Sequence, residues 1–176
     1  MTSSPIRLLV IDDDLVDRLA IKRAVEQSGL AASIEEAGNA DEALAKVAAN
    51  AFDCLLCDQD LPGLSGIELT RQLRASGHRM PIVFVTGREA EEVLVQAIDA
   101  GVTDFIPKND LSPRRLGLRI QFAIRIGKAE AESAQAVARA TAAARARDEV
   151  LAVVSHDLRG PLHAISLATE ALRDEV

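Results

Sequence analysis

Between residues 6 and 126 the chain alternates short apolar runs with amphipathic stretches, and few architectures accept that rhythm. The apolar runs are "IRLLVI" (6–11), "SIEEA" (33–37), "FDCLLC" (52–57), "PIVFV" (81–85) and "DFI" (104–106). Four are rich in Val, Ile, Leu or Phe and stop at acidic or turn residues. The second is more polar, as an edge strand can be. Between them, apolar residues at helical spacing mark 15–28, 40–50, 65–76 and 89–100, with Asn39 as a cap and Gly29, Gly77 and Gly101 as stops. A fifth amphipathic stretch, "RRLGLRIQFAIRIG", follows the last run. Strand-helix alternation of this kind builds a parallel sheet covered on both faces. Five units in this length predict an α/β, flavodoxin-like sheet of order 2-1-3-4-5.

The core has to be aliphatic, because the chain has four Phe and neither Trp nor Tyr. Cys54 and Cys57 spell C-x-x-C, which on a helix or loop suggests redox or zinc chemistry. On a strand an offset of three sends the side chains to opposite faces. They are therefore expected to be separate core thiols, which suits a reducing cytoplasm. A net charge of −7 and the absence of a basic cluster beside stacking aromatics argue against nucleic acid as a partner. No apolar run reaches the ~18 residues a membrane span needs. No signal peptide is evident either, and the expectation is a cytoplasmic protein away from the membrane.

In such a sheet, ligands bind at the carboxyl ends of the strands. The first run is followed by Asp12, Asp13 and Asp14, the third by Asp58, Gln59 and Asp60, the fourth by Thr86 and Gly87, and the fifth by Pro107 and Lys108. Asp14 is read as the cap of the helix beginning at Leu15. Capping accounts for one acid, not for two acidic pairs with a hydroxyl and an ammonium. Clustered carboxylates favour a hard divalent cation, Mg²⁺ above all. The cation neutralises incoming phosphate oxygens and lets one carboxylate act as nucleophile. Lysine and threonine supply further donors to the transferring group, and Gly87 leaves it room.

The motifs "LLVIDDD", "LLCDQDLPGLSGIEL", "PIVFVTG" and "AGVTDFIPK" resemble, in order and spacing, a response-regulator receiver domain of the CheY-like kind. The resemblance spans residues 6 to about 126 and implies two-component signal transduction. It makes Asp58 the phospho-acceptor. Asp12 and Asp13 form the acidic pocket, with Asp13 the more direct metal ligand, and the backbone carbonyl of Asp60 completes the protein's share. It makes Thr86 and Phe105 the switch residues and Lys108 the catalytic lysine. A departure is that Pro107 precedes Lys108 and Asn109 follows it, where the family usually has proline after the lysine. Asp60 and Arg88 are expected to rim the pocket, either paired across its mouth to hinder water or as two unrelated solvated charges.

After residue 126 the composition changes. The stretch "AEAESAQAVARATAAARAR" (129–147) is strong helix-forming material with little to bury, a solvated spacer in preference to a tight coiled coil. Leu151, Val154, Leu158, Ile165 and Leu172 then form one apolar seam. "SHDLRGPL" resembles the phospho-acceptor box of the dimerisation domain of histidine kinases. By that resemblance His156 carries phosphate, Asp157 orients its imidazole, Pro161 is the kink proline, and the seam makes a homodimer. Gly160 departs from the Thr or Asn that often serves phosphatase chemistry there. His78 and His163 are read as background. The predicted organisation is a receiver at 1–126, a helical linker at 127–147 and the first helix of a phosphotransfer and dimerisation domain at 148–176. The 176 residues contain no Gly-x-Gly or P-loop stretch for ATP. They therefore read as the N-terminal part of a hybrid histidine kinase, truncated before its second helix.

A straight helix from 127 to 156 would carry His156 roughly 45 Å from the receiver. Asp58 is accordingly expected to be loaded by a cognate kinase, another phosphotransfer protein or a small phosphodonor. Its signal would pass along the helix, with Gly127 as a weak point. Two other readings stay open: a dimerising binding module that needs no phosphorylation, and a phosphatase with Asp58 as nucleophile, since "DQD" faintly resembles haloacid-dehalogenase-type enzymes.

Overall fold

The computed structural model describes residues 4–87 and 91–173, with side chains for 4–87, 93–149 and 151. The expected alternation is present: β1 (Ile6–Ile11), α1 (Leu15–Gln27), β2 (Ala32–Ala37), α2 (Ala40–Ala49), β3 (Cys54–Asp58), α3 (Gly66–Ala75), β4 (Ile82–Thr86), α4 (Glu91–Ala100), β5 (Asp104–Pro107), a 3₁₀ turn (Lys108–Asp110) and α5 (Pro113–Arg173). All four strand pairings are parallel, in the order β2-β1-β3-β4-β5. The polar run is indeed an edge strand.

Period-two alternation divides the strands between two cores. Leu9, Ile11, Leu55, Cys57, Ile82 and Phe84 face α2, α3 and α4, where Ala43, Val47, Leu69, Leu73 and Ala97 meet them. Leu8, Val10, Cys54, Leu56, Val83 and Val85 face α1 and α5, against Ile21, Val25, Leu116 and Ile120. Cys54 and Cys57 thus lie in different cores as free thiols, and burial pushes both well above the usual thiol range. Neither is in a disulfide.

Two strands begin and end later than the sequence pattern suggests. β3 starts at Cys54 because Phe52 lies under the Arg7 guanidinium, 5.5 Å from ring centroid to Cζ, and the Asp53 carboxylate accepts from the Arg7 amide at 2.8 Å. β4 starts after Pro81, which has no N–H for the ladder but whose carbonyl accepts from Leu55 N. Asp58 and Thr86 are therefore the last residues of their strands rather than the first beyond them.

The chain separates into two compact units, 1–131 and 132–176. In the first, α5 buries Leu116, Ile120 and Ala123. Gly127 is a packing position: a Cβ there would come within 3.1 Å of the Pro81 ring. In the second, the helix runs on to Arg173, through Pro161. Among the described residues, no helix is long and apolar enough to cross a membrane.

Candidate functional site

The loop after β1 is fixed by its own charges. The Asp14 carboxylate caps α1, accepting from Val16 N at 2.7 Å. Asp12 is fully buried, and its Oδ1 accepts from Asp14 N at 2.9 Å. Arg18, one turn into α1, donates to the carbonyls of Asp12 (2.7 Å) and Asp13 (3.2 Å), while its Nε reaches Glu36 at 3.2 Å. Sequence reasoning assigned Arg18 no part in the site, yet it holds the backbone that carries both acids.

Across the sheet edge, Asp58 is 6% exposed. Its Oδ1 accepts from Gln59 N at 2.7 Å and its Oδ2 from Lys108 Nζ at 3.0 Å. A loop, 59–65, then leads the chain into α3. Gly66 donates to the Gln59 carbonyl, and a Cβ on Gly66 would lie 2.4 Å from the Asp58 carbonyl oxygen, so only glycine permits this approach. A reciprocal Ser65–Glu68 capping box fixes where α3 begins.

Asp12, Asp13 and Asp58 each offer a carboxylate oxygen, all within 4.8 Å of one another. Lys108 Nζ is the nearby positive charge, 2.8 Å from Asp12 Oδ2, 3.0 Å from Asp58 Oδ2 and 2.7 Å from Asp17 Oδ2. Asp17, on the first turn of α1, was not anticipated. The contact to Asp12 is close but lacks hydrogen-bond alignment, so Asp12 Oδ2 is buried without a hydrogen-bond partner. Burial raises the pKa of Asp58 above the usual carboxylate value and the Asp12 charge adds to the rise; the Lys108 hydrogen bond offsets these only in part. Burial works the other way on Lys108, yet its acidic partners Asp12, Asp17 and Asp58 outweigh it and raise the ammonium's pKa.

This is a cation-deficient site. Three carboxylates, those of Asp12, Asp17 and Asp58, share one ammonium, Asp13 adds a further negative charge to the cluster, and the available ligand atoms are hard carboxylate oxygens. A divalent cation of the Mg²⁺ type fits that donor set. Thr86, 3% exposed, donates its hydroxyl to Gln59 Oε1 at 3.2 Å, a second partner the sequence did not reveal. A Cβ on Gly87 would meet no described atom within 4 Å. Phe105 is half-buried and meets the Phe84 ring edge-on, with centroids 5.9 Å apart. Asp60 is exposed. Arg88 lies outside the described residues, as do the side chains of His156 and Asp157, whose backbone belongs to α5.

Residues 8–121 match the family described as the response regulator receiver domain, and residues 146–176 match the His Kinase A (phospho-acceptor) domain. Response regulator MprA of Mycobacterium sp. (strain KMS) is 38% identical over 104 residues, 59% of this chain and 44% of that protein. MprA of Mycobacterium tuberculosis (strain ATCC 25177 / H37Ra) is 38% identical over 103 residues, 58% and 44% of the two chains. The match thus spans less than half the length of these relatives. Among solved structures, a CheY-like receiver domain protein from Methanospirillum hungatei JF-1 superposes with a TM-score of 0.65 at 31% identity, covering 72% of this chain and 99% of its own. The receiver domain of a Francisella response regulator, 1452, gives 0.62 at 26% identity, covering 68% and 97%.

Proposed function

This chain belongs to the response regulator receiver domain family, and from that premise we propose that Asp58 accepts a phosphoryl group with Mg²⁺ bound beside it. The observation that carries the reading is the convergence of Asp12, Asp13 and Asp58 within 4.8 Å, with Lys108 Nζ 3.0 Å from Asp58. The side chains of Asp12, Asp13 and Asp58 and the backbone carbonyl of Asp60 would hold the cation. When bound, Mg²⁺ supplies charge neutralisation that lets a carboxylate approach a phosphate. An Asp58 carboxylate oxygen attacks the phosphorus and forms the acyl phosphate. The bond from phosphorus to the donor breaks, and the donor leaves with its electron pair. Lys108 places its charge against the phosphoryl oxygens, and the Thr86 hydroxyl turns to them from Gln59. Phe105, packed on Phe84, follows Thr86 and alters the surface formed by α4, β5 and α5.

The unit carrying the phospho-acceptor match is the output. His156, helped by Asp157, is the candidate second phosphoryl site, on a helix that dimerises through the seam of Leu151 and its successors. A histidine kinase or phosphotransfer protein is the partner that loads Asp58. The assigned boundaries are a receiver at 1–126, a linker at 127–147 and a phospho-acceptor helix at 148–176.

Incubation with acetyl phosphate, followed by intact-mass measurement, tests the reading. One Mg²⁺-dependent phosphoryl adduct is expected on the intact chain and none on Asp58→Ala. An unchanged adduct on Asp58→Ala would move the acceptor elsewhere.

A further inference from the structure

Lys108 makes two aligned hydrogen bonds, to Asp58 Oδ2 and to Asp17 Oδ2, and the bond to Asp17 is the shorter at 2.7 Å against 3.0 Å. Its third neighbour is the unaligned Asp12 Oδ2. These carboxylates have different prospects once the site is used. Asp58 would carry the group and give up its own charge, and Asp12 is one of the candidate metal ligands. Asp17 does neither. It sits in the first turn of α1, at the rim of the site, with its side chain 37% exposed, outside the cluster of candidate metal ligands.

We infer that Asp17 is a positioning residue that restrains Lys108, drawing its ammonium toward the rim and away from the phosphoryl oxygens. The inference rests on the phospho-acceptor reading of Asp58. Charge gathers on the phosphoryl oxygens during transfer, and a donor aimed at them lowers the barrier. An ammonium has three N–H groups, and one held by a full carboxylate charge is withheld from that task. Neutralising Asp17 leaves an amide oxygen that accepts more weakly and frees the ammonium. A partly exposed ion pair of this kind is worth at most a few-fold in rate.

The test is the initial rate of adduct formation from acetyl phosphate with saturating Mg²⁺, read by intact mass on the full chain. Asp17→Asn is expected to label about two- to fivefold faster, and Asp17→Glu, which keeps the charge, at close to the parent rate. In a Lys108→Met background, labelled over longer times, Asp17→Asn is expected to change nothing, because the residue it acts through is gone. Equal labelling of Asp17→Asn and the parent overturns the inference. So does slower labelling, which makes Asp17 an aid in aiming Lys108, and so does an acceleration that persists without Lys108. A parent chain that takes no adduct overturns both this inference and the acceptor reading. A parent that labels while Asp17→Asn does not differ overturns this inference alone.

Discussion

α5 passes through two regimes, and the contrast between them separates what burial holds from what local propensity holds. In the first unit its Leu116, Ile120 and Ala123 are buried against the sheet, and Gly127 lies close against Pro81. From Lys128 to Glu149 every described side chain is exposed. The early part is helical because an apolar stripe is removed from water. The later part is helical because Ala, Arg, Glu and Gln lose little entropy in that conformation and no Gly or Pro interrupts them. The first region can therefore hold a reactive constellation by packing. The second is a material suited to a spacer.

The largest expected effect lies in the sheet. Phe84 is fully buried and supports the ring of Phe105. Phe84→Ala is expected to cost about 3–5 kcal/mol in urea unfolding of the receiver region. A loss under 1 kcal/mol would mean that the two-core packing is misread.

A smaller effect lies at the site, and its sign depends on pH. The pKa of Asp58 is raised in the folded state, first by burial and then by the Asp12 charge. Between the ordinary carboxylate pKa and that raised value, the folded chain keeps a proton that the unfolded chain has released. Stability then falls as pH rises through the window. Above it, without divalent cation, the parent carries the full penalty and Asp58→Asn does not. Asp58→Asn is expected to melt higher than the parent at pH 7, with the gap closing below the usual carboxylate range. Added Mg²⁺ is expected to stabilise the parent more than the variant. A gap that stays constant across pH would trace the difference to packing rather than ionisation.

The smallest effect is expected in the exposed helix. Ala138→Gly should weaken local hydrogen-exchange protection by ~1 kcal/mol and leave receiver melting unchanged. A fall in receiver melting would erase the boundary between the two regimes.

The same contrast explains which features were legible in the sequence. Periodicity marked the strand-helix units, the fold class those units fit supplied the strand order, and the opposite-face rule separated Cys54 from Cys57. The acids and the lysine at strand ends were legible because a parallel sheet gathers its carboxyl ends at one edge. Asp17 and Arg18 were not, because both sit in the first turn of a surface helix, where charges are ordinary. What made them part of the site is the register of α1, which starts at the Asp14 cap. Spacing from that cap was the available signal: an acid three residues on and an arginine four on return to the strand-end side. Gln59 was passed over as a filler between two aspartates, yet its Oε1 accepts from Thr86. Phe52 drew the third strand two residues too early, since an aromatic beside a strand looks like part of it until its Arg7 partner is seen. Gly127 suggested flexibility, and its closeness to Pro81 gives it a packing role.

The central claim is that separate strand ends assemble a cation-dependent phosphoryl acceptor at Asp58. A crystal grown with Mg²⁺ and beryllofluoride, a mimic of the phosphoryl group, addresses it most directly. The account predicts Mg²⁺ held among the carboxylates of Asp12, Asp13 and Asp58, and beryllofluoride on Asp58 within reach of Lys108 and Thr86. Beryllofluoride bound elsewhere, or a cation away from those acids, would contradict it.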